Sequence, residues 1–375
     1  MRPESWSNIG MRAVRSGLAA LAAGLIFVCG QANADTIRFG GILPLTGPGA
    51  LIGTAEMHGV QFAVDQANAR GGVHGNQVEV QFEDNQAKPD QSVLSFNKLT
   101  DLQHVSVIFT GYSGPSLAMA PLATRKKVLL VNAGAQADAL AKASPYLINT
   151  LPTIGDEISV LSKWLVGEGK KHAAVMFEND AAGMSGRDDY LHSFPEAGGT
   201  ILAQEATQFG QTDFRPALLK LADAKPDVML VAITAGLLQM AQEYHQLGLK
   251  FTVAGTTFFA DPSTIADPSS AGFVHTQLRI DAPPDLAAQF KAKYGADMEF
   301  FAKQYYNAAQ IVLTTLDKVL AENKPVTGET MHDTLLQIHK FQGLIPLEFK
   351  TNTASVPIDI NIMRDGKDET LKQTQ

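Results

Sequence analysis

The 375-residue chain contains one cysteine, Cys29. A disulfide scaffold and a cysteine-rich zinc module are therefore both excluded. Charge is sparse, at 18% of residues, and the net value is −8. No basic cluster lies outside the N-terminus, which argues against nucleic acid as the partner. Beyond the N-terminal leader no apolar run reaches the ~18 residues a bilayer span needs. The nine histidines show no H-E-x-x-H or similar metal spacing; His58 and His172 read as surface or satisfied polar residues. What remains is 45% apolar, too rich for a disordered chain. It is also too long for one ordinary core, so about two domains of roughly 150–200 residues are expected.

The N-terminus reads as an address. Arg2, Arg12 and Arg15 precede an apolar stretch over residues 18–28, and Ala32-Asn33-Ala34 supplies an A-x-A cleavage site before Asp35. A lipid-anchor reading would cut before Cys29, but Val28 is bulkier than such a site prefers. Cleavage after Ala34 leaves 341 residues with formal charge −10. The expectation is a signal peptide over 1–34 and a mature protein in the periplasm.

The mature chain alternates short β-branched runs with amphipathic stretches. Strands are expected over 36–43, 78–82, 105–110 and 128–131, with helices over 53–70, 89–101 and 114–125 between and after them. The pattern then restarts, with helices over 154–168, 185–194, 214–222 and 237–247 and strands over 173–177, 201–206, 228–231 and 251–254. Two further helices, 286–294 and 301–320, follow Pro283-Pro284, and strand-like segments at 347–349 and 356–363 close the chain. This order predicts an α/β protein with two doubly wound parallel-sheet lobes.

In such sheets ligands bind beyond the carboxyl ends of the strands. The loops that leave them are 45–49, 111–115 and 132–136, then 178–183, 234–236 and 255–259. Within 111–115, Gly111 and Gly114 allow close backbone approach, while Ser113 fits a helix N-cap with Pro115 in the first turn. A helix start offers free N–H groups, partial positive charge and a hydroxyl, a setting for a carboxylate. Ser113 as a plain helix cap is the bland alternative. A dinucleotide loop is disfavoured, because Gly47, Gly49 and Gly53 are spaced one residue too long and Pro48 removes an N–H. A nucleophile elbow would need glycine where Pro115 stands. A secreted serine hydrolase using Ser113 is the rival reading from another class.

Ile42-Leu43-Pro44-Leu45-Thr46-Gly47-Pro48, Gly59, Ala63, Val64 and Asn68-Ala69-Arg70-Gly71-Gly72-Val73-His74-Gly75 together carry a resemblance. With the leader, the Tyr112-Ser113 loop, Pro121, Val128 and Gly134, the chain resembles the leucine/isoleucine/valine-binding protein family, the type I periplasmic substrate-binding proteins of ABC transporters. The resemblance spans 35–375. It implies two lobes joined by a three-crossover hinge near Thr153, Arg279 and Thr353. Lobe 1 would comprise 35–153 plus 280–353, and lobe 2 would comprise 154–279 plus 354–375.

The resemblance also implies a site. The ligand carboxylate would meet Ser113, beside Tyr112, and the loop Gly134, Ala135 and Gln136, where an amide stands in place of the usual hydroxyl. Thr46 and Ile52 would close the leading side, Ile52 in place of an aromatic. The second-lobe wall would carry Ala182 and Thr234 where tyrosines are common, and Phe301 is a retained aromatic contact. The acid that binds a ligand amine in this family would fall at Thr257 or Thr256, so none is present. Glu178, Asp180 and Asp261 are the acids that could substitute. The family's usual disulfide is absent. The expected function is a receptor, not an enzyme, that captures a small amino acid of branched-chain type or a related carboxylate. Without an acid partner, a non-amino carboxylate or a small amide packed by Phe177, Phe258 or Phe301 is the alternative. The expected partner is an ABC permease, with no cofactor, no metal and a monomeric state.

Overall fold

A computed structural model describes residues 36–373; the expected leader and cleavage site lie outside the described residues. The first segment runs β1 (Thr36–Leu43), α1 (Ala50–Ala69), β2 (Gln77–Asp84), α2 (Pro89–Asn97), β3 (Val107–Thr110), α3 (Ser113–Lys126), β4 (Leu129–Asn132), α4 (Leu140–Ala143) and β5 (Leu147–Asn149). Its five strands form one parallel sheet in the order β2-β1-β3-β4-β5. The inner strands β3 and β4 are buried at every residue, as the continuous apolar runs of a two-faced parallel sheet require.

The second segment continues with α5 (Ile154–Gly167), β6 (His172–Glu178), α6 (Ala181–Glu196), β7 (Thr200–Thr207), α7 (Arg215–Asp223), β8 (Val228–Ala232), α8 (Leu237–Gln246), β9 (Thr252–Gly255), α9 (Pro262–Ala266) and β10 (Val274–Leu278). The third comprises α10 (Pro284–Tyr294), α11 (Phe300–Ala321), α12 (Gly328–Ile338), β11 (Lys340–Phe341), β12 (Leu347–Phe349), β13 (Ala354–Ser355), β14 (Ile358–Arg364) and β15 (Lys367–Lys372). The second sheet is ordered β15-β14-β10-β9-β8-β6-β7. It is parallel except where β14 and β15 add antiparallel strands at one edge. At the other edge β7 alternates exposed and half-buried residues, as a one-faced strand does.

Both parallel units share one topology. Each begins at an inner strand, β1 or β6, pairs its second strand outward, then crosses back to add the third on the other side. The strand order reverses between β1 and β3, and again between β6 and β8. Such reversal points open a crevice at the strand ends.

The chain passes between the sheets at 150–153, 279–283 and 356–357. These passages are stitched together. Asn149 N–H donates to the Asn352 carbonyl at 2.7 Å, and the Asn149 amide donates to Thr353 Oγ1 at 3.1 Å. Arg279 grips Asp359 with two bonds of 2.8 and 2.6 Å. α11 returns to lie along α1, and Gly59 permits their close approach, since a Cβ there would meet the Ala302 carbonyl oxygen at 2.3 Å. The sequence reading misses the short elements α4, β5, α9, β11 and β13 and three longer ones, β10, α12 and β15. In β10, His275, Thr276 and Gln277 interrupt the apolar pattern.

Candidate functional site

The two reversal points face each other. Loops from the carboxyl ends of β1, β3 and β4 meet loops from β6, β8 and β9 around a narrow cavity. From the first sheet come Ile52 and Glu56 on α1, Tyr112 and Ser113 at the start of α3, and Gly134 and Ala135 after β4. From the second come Ala182 on α6, Thr234 after β8 and Phe258 after β9; Phe301 on α11 completes the wall. A second, roomier space shares Ile52, Thr234, Phe258 and Phe301 and continues past Pro48 and Pro262. The rims touch: the Tyr112 ring meets Phe209 edge-on at 5.9 Å, and Pro48 abuts Gly210. The cleft is thus closed.

Eight of the eleven expected contacts line this cavity: Ile52, Tyr112, Ser113, Gly134, Ala135, Ala182, Thr234 and Phe301. Thr46, Gln136 and Thr257 do not. The Thr46 hydroxyl and N–H are both taken by Asp84. Gln136 and Thr257 turn instead to Glu157, which is fully buried. That carboxylate accepts from Gln136 Nε2 at 2.5 Å, Thr257 N–H at 2.9 Å, Thr257 Oγ1 at 2.7 Å and Thr276 Oγ1 at 2.5 Å. Gln136 leaves the first sheet, whereas Thr257 and Thr276 belong to the second, so Glu157 ties the two at the seam.

Local geometry prepares the polar end. Tyr112 precedes α3 with φ 62° and ψ 135°, a conformation that costs a non-glycine residue free energy. It turns the chain so that Ser113 and Gly114 open the helix, where their N–H groups have no intrahelical acceptor. Ser113 Oγ accepts from Ala137 N–H at 3.2 Å, so its own proton is free to donate. The N–H groups of Gly134 and Ala135 are not available to a ligand, because Asn132 Oδ1 accepts both, at 3.1 and 2.8 Å. The donors left free at this end are the Ser113 hydroxyl and the N–H groups of the first turn of α3.

Sequence reasoning missed Glu56. It is 1% exposed, and its Oε2 has no hydrogen-bond partner among the described residues. Burial pushes its carboxyl up to about 8, against a smaller opposing contribution from Tyr305. The signal was present: Glu56 falls in phase with Gly53, Gly59, Val60 and Ala63 on the buried stripe of α1. A charge on such a stripe demands a partner or a purpose.

Of the acids expected to substitute for the missing one, Glu178 is committed elsewhere. It accepts from Thr234 N–H at 2.8 Å, Thr234 Oγ1 at 2.5 Å and Ala235 N–H at 3.3 Å. Burial nevertheless raises it to about 7. Asp180 caps α6 through Gly183 N–H, and Asp261 caps α9. The Tyr112 phenol is pushed well above its ordinary value by burial, then by Glu56, Glu178 and Asp180. Phe258 and Phe301 stack with centroids 6.5 Å apart and planes 24° from parallel, forming the apolar end.

Comparison with known proteins agrees with this architecture. The profile of the family described as "Periplasmic binding protein" matches residues 36–364. The Leu/Ile/Val-binding protein BraC3 of Rhizobium johnstonii is 29% identical over 332 residues, covering 84% of this chain and 88% of that one. A solute binding protein of Rhodopseudomonas palustris in complex with 3,4-dihydroxy benzoic acid superposes with TM-score 0.81 at 24% identity, covering 91% of this chain and 98% of that one. The substrate binding protein LivJ of Streptococcus pneumoniae in complex with isoleucine superposes equally well, TM-score 0.81 at 22% identity, covering 91% and 99%.

Proposed function

The chain belongs to the periplasmic binding protein family, and on that premise we propose that it is the receptor of an ABC importer for a small carboxylate. The ligand is an amino acid of branched-chain type or a related acid, enclosed between lobe 1 (35–153 plus 280–353) and lobe 2 (154–279 plus 354–375). Its carboxylate meets Ser113 and the first turn of α3, and its apolar body lies toward Phe258 and Phe301. The observation that carries this reading is the cavity built from both reversal points, polar at one end and apolar at the other. Charge-assisted hydrogen bonds contribute roughly 1.5–3 kcal/mol each, so two or three anchor a small acid. Closure of the lobes then signals occupancy to the permease. The leader directs export, with cleavage after Ala34.

A second reading is favoured by the wall of lobe 2. Ala182 and Thr234 are small, and the Phe258–Phe301 pair offers flat faces, which suits an aromatic acid without an amine. The protein of Rhodopseudomonas palustris bound to a hydroxylated benzoic acid supports it.

A thermal-shift screen of the mature chain against amino acids, their deaminated analogues, aromatic acids and small amides tests both. A ligand at 100 times its dissociation constant adds about 2.7 kcal/mol, enough for a clear shift. Turnover of ester substrates lost in Ser113→Ala would instead support a hydrolase, and a screen in which no acid shifts the transition would overturn the receptor.

A further inference from the structure

Glu56 stands out because every other buried acid near the cleft is saturated or capping a helix. It lines the cavity from the first sheet, beside Ser113, Gly134 and Ala135. Its Oε2 is buried and unpartnered among the described residues. Gly111 and Gly134 make its cradle, since a Cβ on either would lie within 2.8 Å of a Glu56 carboxyl oxygen. The side chain therefore occupies a space reserved for a carboxyl group, at the polar end.

The neighbouring phenol leaves it short of donors. Tyr305 Oη donates its only proton to the Thr110 carbonyl at 2.6 Å. That proton is drawn away from Glu56, whose Oε2 is left without a donor. The titratable groups that act on this region are Tyr305 on α11, Tyr112 before α3, and Glu178 and Asp180 of the second sheet. No cation is among them. Burial acts in the same sense, holding the carboxyl up at about 8. The unpartnered Oε2 is an acceptor at the cavity wall.

Resting on the reading of the cleft as a carboxylate receptor, we propose that Glu56 is a ligand-binding residue that reads a hydrogen-bond donor. The head group then carries an N–H or O–H immediately beside the acceptor that meets Ser113. An α-amino acid, an α-hydroxy acid and a primary amide share that arrangement; a simple fatty or benzoic acid lacks it. The acid sought at Thr257 is supplied from the opposite wall. An ammonium draws the proton off Glu56 and releases it to solvent, whereas a hydroxyl or amide leaves it in place.

Calorimetry on the mature chain separates these cases. The probes are L-leucine, its α-hydroxy analogue leucic acid and its donor-free analogue isocaproate; phenylalanine, phenyllactate and hydrocinnamate; and benzamide with benzoate. In at least one set the donor-bearing member binds on the order of 10- to 100-fold more tightly than the donor-free one. Glu56→Met erases that preference. Glu56→Gln, which retains an acceptor, preserves hydroxyl or amide binding but weakens an amine on the order of 10-fold. Buffer-dependent heats identify the amine case by its released proton. Equal binding of donor-free and donor-bearing members overturns the proposal, as does a preference that survives Glu56→Met. The wild-type comparison needs no variant, so poor folding of Glu56→Met does not protect the idea. If no probe binds at all, the receptor reading itself fails and takes this inference with it.

Discussion

Two buried glutamates, one on each side of the first crossover, differ in what surrounds them. Glu157 opens α5 at the seam between the sheets and accepts four hydrogen bonds from three segments. Glu56 lines the cavity from α1 and has an oxygen with no partner among the described residues. Both are removed from water. Burial alone therefore does not distinguish a structural acid from a binding one; the count of donors does. A saturated carboxylate contributes to folding, and an unsaturated one is held ready at a cost.

The largest test of that contrast is deletion at the seam. Glu157→Leu strands Gln136, Thr257 and Thr276 without their acceptor, and about 3–5 kcal/mol of unfolding free energy is lost in urea titration. A loss under about 1 kcal/mol would remove the seam's structural role. At the polar end, Ser113→Ala weakens ligand binding by roughly 1–3 kcal/mol in calorimetry and, by stranding the buried Ala137 N–H, also lowers the urea midpoint; unchanged affinity would exclude its hydroxyl from the site.

The same deletion at Glu56 has the opposite sign to that at Glu157. Glu56→Met removes an unpaired buried polar group, so stability rises by about 1 kcal/mol while binding of donor-bearing ligands falls. The pH profile follows. Glu56 titrates at about 8 in the folded chain, above its ordinary value of 4.5. The folded state thus holds a proton that the unfolded state gives up. That contribution is complete below about pH 4.5 and is lost as pH rises through about 8. Unfolding free energy declines over that window, and Glu56→Met flattens the decline; a wild-type profile flat over the whole window would contradict the raised carboxyl.

The smallest effect lies where the sheets meet beside α6. Asp189 faces Asp138, and burial followed by the Asp138 charge pushes Asp189 to about 7. Their contact is favourable while a proton is present and fades as pH rises toward about 7. Asp189→Asn therefore stabilises the protein at neutral pH, by under about 1 kcal/mol since the group is partly solvated. Destabilisation by the same change would show that the charged form is the one the fold uses.

Much of this molecule was legible in its sequence. β1 and β12 fall on the expected residues, because a β-branched or apolar run ended by Pro44 or framed by polar residues leaves little freedom. The doubly wound order followed from alternation; six of the eight cavity residues lie in the strand-end loops, and Ile52 and Phe301 came with the family resemblance alone. β10 was hidden because His275 is buried in partnership with Asp368, 93 residues later, at 2.9 Å. α12 was hidden because its start is marked by a threonine pair, Thr327 and Thr330, in place of the usual acid. Gln136 and Thr257 were expected at the ligand because their loops are right; their side chains are claimed by Glu157 from a third element. Glu56 and Glu157 share one overlooked signal. Each sits in phase with an apolar helical stripe, Glu157 beside Ile154, Ile158 and Leu161, where an acid has to be explained.

As a receptor, the protein would close its two sheets over a small acid at their facing reversal points. Residues 35–375 contain no cysteine, so in that fragment Leu51→Cys on one rim and Thr212→Cys on the other accept spin labels without background. Their separation, measured by electron–electron double resonance, shortens and narrows to one population when the best-shifting acid of the screen is added. A distance distribution unchanged by that acid at saturation would contradict the account.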